Sequence, residues 1–160
     1  MSRTTTDTAL RAQLAKLLDW EDAHVGFDKA VKGIPPRLRG AVPNGLEHSV
    51  WQLVEHTRIA QADIVEFCGS GNYQQREWPA DYWPRTPQPP GGAAWTRSIA
   101  GFKRDRQSLK RLATNPRVDL FAAIPHRQGQ TYLRELLLIA DHTAYHVGQI
   151  VAVRRALGIW

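Results

Sequence analysis

The sequence predicts an all-α fold, a four-helix bundle with a long aromatic and proline-rich loop between its second and third helices. Three observations lead there. Four segments repeat apolar residues at steps of three and four, proline, glycine and asparagine punctuate the joints between them, and no stretch carries a convincing strand pattern. Each amphipathic stripe needs a partner to bury against, and gathering four around one core is the simplest arrangement. At 160 residues the chain can bury one substantial core and is too short for two ordinary domains, so residues 1–160 are expected to form one domain.

The first helix is expected over 7–32, where Leu10, Leu14, Leu17, Trp20, Phe27 and Val31 recur at helical spacing before Pro35 and Pro36 end the run. The second is expected over 49–67. Ser49 and Gln52 make a capping-box pattern there, in which hydroxyl and amide each satisfy an N–H at the helix end. The third, 93–114, carries Trp95, Ile99, Phe102, Leu109 and Leu112 or Ala113 on one side and closes at Asn115-Pro116. The fourth, 131–157, aligns Leu136, Ile139, Ile150, Val153 and Leu157 and meets Gly158 as a C-terminal cap. Between the second and third helices, residues 69–92 form a long connection containing Trp78, Tyr82 and Trp83. Connections this long are usually functional or disordered, and three large aromatics favour a loop that packs on the bundle, either as a cover or as a lid that shapes a substrate site. Residues 118–126 have the composition of a short extended pair.

The net charge of +6 raises the question of nucleic acid, whose phosphates attract clustered Lys and Arg. Here the basic residues are scattered. Their densest groups, Lys103 to Arg106 with Lys110-Arg111, and the pair Arg154-Arg155, read as solvated helix faces, so no nucleic-acid partner is expected. One cysteine, Cys68, excludes an intramolecular disulfide and a cysteine-rich zinc site, and it reads as a small apolar residue. The start of the chain has no signal-peptide-like apolar run, and no stretch approaches the ~20 uninterrupted apolar residues of a membrane span. A cytoplasmic location and no membrane partner are the corresponding expectations.

Chemistry shows where polar residues interrupt the apolar stripes. On the fourth helix, stepping by three and four from Ile139 reaches His142 and His146 before Ile150 and Val153, which puts two imidazoles on the core face one turn apart. On the second helix the step from Leu53 reaches His56 before Ala60 and Phe67. Three imidazoles meeting in one interior are unfavourable unless their nitrogens are satisfied, and a divalent cation does so by accepting a lone pair from each neutral ring. Three protein nitrogens would leave a coordination position for water or substrate, as catalytic sites do, and imidazole ligation suits zinc, nickel, iron or copper. Ordinary hydrogen-bonded histidines remain the competing reading of the same spacing. The run His142-Thr143-Ala144-Tyr145-His146 lacks the glutamate of a His-Glu-x-x-His metalloprotease helix, and Glu21 to His24 is the single Glu-x-x-His, too few for a di-iron carboxylate bundle.

Glu55 and Asp141 each precede a candidate ligand and are candidates to orient its ring. His24 lies between Trp20 and Phe27, flanked by Glu21 and Asp28. It reads either as a satisfied core residue or, with Glu21, as a catalytic acid or base. His48 precedes the second helix and suits local capping or exposure; His126 falls in a loop and has no assigned role; Tyr145 either lines the pocket or packs outward.

The run His48-Ser49-Val50-Trp51-Gln52-Leu53-Val54-Glu55-His56, the run Ala140 to Ile150 that contains His142 and His146, and the terminal Arg154-Arg155-Ala156-Leu157-Gly158 resemble the DinB-like (DinB/YfiT) superfamily over nearly the whole chain. The resemblance implies a four-helix bundle in which His56, His142 and His146 hold one divalent transition metal, zinc or nickel foremost, with iron or manganese as alternatives. It further implies a metal-dependent transferase acting on a low-molecular-weight thiol, or activation of water for hydrolysis, and a homodimer. A non-catalytic metal-binding or stress-response module is the alternative, since one fold hosts many functions.

Overall fold

The computed structural model describes residues 3–125 and 127–160. Its helices are α1 (Arg3–Leu17), the short α2 (Phe27–Val31), α3 (Val50–Gly69), α4 (Gly92–Thr114) and α5 (Tyr132–Ala156), with a 3-10 turn at Pro36–Leu38. The fold is all-α, and α3 packs on both α4 and α5 while α1 lies against α4 and α2 against α5. The expected extended pair at 118–126 contributes one antiparallel bridge, Ala123 to Thr131.

The ends of the long helices follow their local chemistry. Ser49 accepts from the Gln52 N–H while the Gln52 side chain accepts from the Ser49 N–H, the reciprocal box expected at the start of α3. Thr131 caps α5 through the Arg134 N–H. At the other end Gly158 takes φ +69°, a left-handed turn that glycine adopts without steric cost. Gly158 and Ile159 then donate back to the Arg155 and Arg154 carbonyls, closing a Schellman motif.

Two apolar clusters form the core. One gathers Phe27, Val31, Ile34, Trp51, Leu53, Phe102, Ile150 and Val153; the other gathers Leu14, Leu18, Leu109, Leu120, Leu136 and Ile139. Along α5 the two imidazoles fall between residues of these clusters, with Ile139 and Ala140 on one side and Val147 and Ile150 on the other. By length and composition α5 could cross a membrane. Leu136, Ile139, Val147, Ile150 and Val153 of that helix are buried in the bundle, and Glu135 and Arg154 are buried beside them.

The structure corrects two expectations. The first helix is not continuous over 7–32, because α1 ends at Leu17 and the chain is irregular until Phe27. Here the acidic side chains find partners that a continuous helix does not provide. Asp22 pairs with Lys16 at 2.7 Å, Asp19 with Lys110 of α4 at 2.6 Å, and Glu21 accepts the Gly26 N–H at 3.2 Å. Gly26, a poor helix former, then serves as the extended residue that starts α2. The basic groups are also not uniformly solvated: Arg106 and Arg154 are 6% and 8% exposed. Arg154 donates to the Ala30 and Ile159 carbonyls and so fastens α2 and the C-terminal residues to α5, while Arg106 pairs with Asp28.

Candidate metal centre

The capping box fixes where α3 begins, and His56 follows on the face that also carries Leu53 and Ala60, 1% exposed. His146 is 6% exposed and His142 half-buried, one turn apart on the facing side of α5. The structure brings all three together: one ligand atom from each lies within 4.8 Å of the others. The His56 Nε2 is 3.0 Å from the His142 Nε2 and 3.1 Å from the His146 Nε2. Nitrogens bound at about 2.1 Å from a common ion, at angles between octahedral and tetrahedral, stand roughly 3.0–3.4 Å apart.

The outer nitrogens decide what these short contacts mean. The His56 Nδ1 is 2.9 Å from the Tyr82 carbonyl, which can only accept, so Nδ1 carries the proton and Nε2 a lone pair. The Gln149 amide N–H donates to the Tyr145 hydroxyl, which turns its oxygen toward the His146 Nδ1 at 2.7 Å and assigns that ring the same tautomer. The 3.1 Å contact between His56 and His146 therefore sets lone pair against lone pair. A proton in that gap would require an imidazolium, and the surroundings oppose one. Burial first, then the charges of His146 and His48, outweigh the Tyr82 carbonyl and lower His56 to about 4. Burial, then its two neighbours, lowers His142 to about 3. His146 is lowered too, chiefly by burial. Three neutral rings, with the lone pairs of His56 and His146 opposed and the His142 Nε2 3.0 Å from that of His56, make a donor set that fits a divalent cation.

The connection between α3 and α4 supplies the outer wall. Trp83 stacks on His56 with ring centroids 3.8 Å apart and planes 4° from parallel, and His48 stacks on Trp83 at 4.2 Å. Trp78 meets the His56 ring edge-on at 6.3 Å and is 67% exposed. Buried Asp63 of α3 anchors this segment. Its carboxylate accepts from the Tyr73 hydroxyl at 3.1 Å and from the Tyr82 hydroxyl at 2.7 Å, and it pairs with Arg76 at 3.2 Å. Tyr82 is thus held at its hydroxyl by Asp63 while its backbone carbonyl orients His56. The loop covers the imidazole cluster.

Other residues singled out from the sequence are placed elsewhere. Glu55 is paired with Arg58 at 2.6 Å and Asp141 is exposed, so the partners that orient the rings are the Tyr82 carbonyl and Gln149. His24 lies in the irregular connection after α1, exposed, with its Nδ1 2.9 Å from the Val25 carbonyl, and is neither a core residue nor part of the cluster. Glu21 accepts from Gly26 in the same connection. His48, expected to cap or lie exposed, is half-buried against Trp83. Tyr145 is 62% exposed and accepts from Gln149. Burial, then the nearby Glu135 carboxylate, pushes the Cys68 thiol up to about 12, as an inert apolar residue requires. His126 lies outside the described residues.

Gln149 gives a direct test of the ring-orienting shell. Gln149→Ala leaves the His146 Nδ1–H without its acceptor, and affinity for zinc is expected to fall about 10–100-fold in a competitive chelator titration. An unchanged affinity would show that Gln149 does not orient His146.

The arrangement defines a class, a helical bundle whose interior presents three neutral imidazoles from two facing helices. The particular family follows from comparison of the sequence, since the profile of the DinB superfamily matches residues 19–150 and the chain belongs to that superfamily. Searches of curated proteins and of solved structures gave no match.

Proposed function

We propose that the protein binds one divalent transition metal through the Nε2 atoms of His56, His142 and His146 and uses it to activate a small nucleophile, a low-molecular-weight thiol, for transfer to an electrophile. One observation carries the metal part of this reading: the 3.1 Å contact of two unprotonated nitrogens whose outer Nδ1–H groups are already engaged. Superfamily membership supports the same reading. Zinc and nickel suit the donor set best, with iron or manganese as alternatives.

A bound ion would supply Lewis acidity, lowering the pKa of a thiol, or of water in a hydrolytic variant, at a position that the protein leaves free. The chain's own residues supply the rest. The Tyr82 carbonyl and Gln149 fix the tautomers of His56 and His146, so both Nε2 lone pairs face inward. Trp83 lies flat on His56 and keeps water from that face. Half-buried His142 and exposed Trp78 mark the side from which a small molecule reaches the cluster. The near-complete burial of His56 and His146 also suits a second reading, a metal-binding module without turnover.

Elemental analysis of protein purified without an affinity tag is expected to find about one transition-metal equivalent, removable by chelator. A screen of small thiols against electrophiles should then show turnover that chelation abolishes and metal restores. Protein that neither retains nor takes up zinc or nickel would refute the metal reading. A loaded protein inactive across the screen would leave the module reading and remove the transferase.

A further inference from the structure

The face of α5 turned away from the imidazoles borders a cavity that the metal centre does not use. It has a volume of about 160 Å³ and lies between the end of α1, the irregular connection, α2, α4 and α5. Leu18, Phe27, Ala140 and Val147, each 2–7% exposed, form its inner wall, and the more exposed Trp20 and His24 stand at its rim. An apolar cavity of about 150 Å³ is large enough to admit benzene. This one is not wholly apolar, because Arg106 also borders it.

Arg106 is 6% exposed, and its Nε is buried with no hydrogen-bond partner. One terminal nitrogen donates to Asp28 at 3.0 Å, but Asp28 is shared with Lys103 at 3.5 Å. Asp19, the carboxylate that lines the cavity, is taken by Lys110 at 2.6 Å. Arg106 therefore shares its one carboxylate partner with Lys103, and its Nε–H, buried at this wall, is left without an acceptor. A buried guanidinium with a free N–H is matched in geometry and charge by a carboxylate.

We propose that this cavity is a binding site for a small monocarboxylate with an apolar body the size of an aromatic ring or a short branched chain, its carboxylate on Arg106 and its body against Leu18, Phe27 and Val147. The site is separate from the metal centre: on α5 it uses Ala140, Thr143, Ala144 and Val147, whereas the ligand set uses His142 and His146. It also gives His24 a place, at the mouth of this cavity.

The test uses benzoate as probe and benzamide as its uncharged counterpart, with binding followed by amide chemical shifts in metal-free protein. Benzoate should shift the amides around the cavity and bind at least about tenfold more tightly than benzamide. Arg106→Met should erase that preference. Ala144→Leu, which fills the cavity from α5 without touching Arg106, should abolish binding of both probes and guards against misfolding of the arginine variant. His142→Ala should leave benzoate affinity unchanged, which separates this site from the metal reading. Equal binding of the two probes, an undiminished preference in Arg106→Met, or shifts that map to the imidazole cluster would each overturn the proposal.

Discussion

His142→Ala is expected to lower metal affinity by at least about 100-fold, since losing a partner that merely orients a ligand already costs about 10–100-fold. The more discriminating expectation concerns stability. At a free-metal concentration 100-fold above Kd, the ion stabilises the wild-type fold by about 2.7 kcal/mol. Urea unfolding of wild type with and without chelator should show that gap, and in His142→Ala the gap should close. In chelator, the variant should be as stable as wild type or more so, although truncating a well-packed core residue ordinarily costs about 2–5 kcal/mol. Metal-free wild type bears a cluster of neutral imidazoles at 3.0 and 3.1 Å, and the His142 Nδ1 is a buried nitrogen with no partner. Removing that ring relieves the orphaned nitrogen and the crowding at 3.0 Å, while the 3.1 Å contact of His56 with His146 remains. A His142→Ala protein that lost stability equally in metal and in chelator would mark His142 as a packing residue and remove the case for an ion.

How much of this was readable in the sequence depends on the range of the interaction. The box at Ser49 and Gln52 and the glycine cap at Gly158 involve residues within a few positions of one another, and both form as expected. The three imidazoles were found because each interrupts an apolar stripe at helical spacing, a signal that survives without knowledge of the partner helix. The break after Leu17 was missed because Phe27 and Val31 continue the apolar spacing and are buried, but as part of a separate short helix. Past the end of α1, Asp19, Glu21 and Asp22 engage Lys110, Gly26 and Lys16, and one of those partners lies 91 residues away, beyond the reach of local spacing.

Glu55 and Asp141 were read as ring-orienting partners by adjacency, yet successive residues on a helix point about 100° apart and cannot serve the same ring. Gln149, three residues beyond His146 and on its face, was accessible to the same stepping that found the three histidines. The Tyr82 carbonyl was not. A backbone acceptor has no residue-type signature, and this one reaches His56 only because Asp63 holds the Tyr82 hydroxyl. Arg106 and Arg154 show the same limit from the other side. A buried arginine is spelled like an exposed one until its carboxylate or carbonyl partners are in place.

Acidification is expected to unfold the metal-free protein through the same three rings, and the sign follows from which state takes up protons. An imidazole in the unfolded chain titrates near 6.5, whereas in the fold His56 is held at about 4, His142 at about 3, and His146 below its ordinary value. Above pH 6.5 neither state is charged and the cluster adds no pH dependence. As pH falls below 6.5 the unfolded chain binds protons that the fold excludes, so stability declines with acid, by up to about 1.4 kcal/mol per pH unit for each fully shielded ring and less for half-exposed His142. The decline ends only once pH passes through the folded values, near 4 for His56 and near 3 for His142. Over two units that amounts to several kcal/mol, comparable with the whole stability of about 5–15 kcal/mol of a typical domain. Protons also compete with the ion for each Nε2, so the loaded protein should start from higher stability and lose it more steeply over the same interval. Unfolding free energies between pH 4 and 8, in chelator, test this directly. His142→Ala should show a shallower slope below pH 6.5 than wild type. Parallel profiles for the two proteins, or a wild-type profile flat to pH 4.5, would mean that the rings are not held neutral by the fold, and the argument from opposed lone pairs would fail with them.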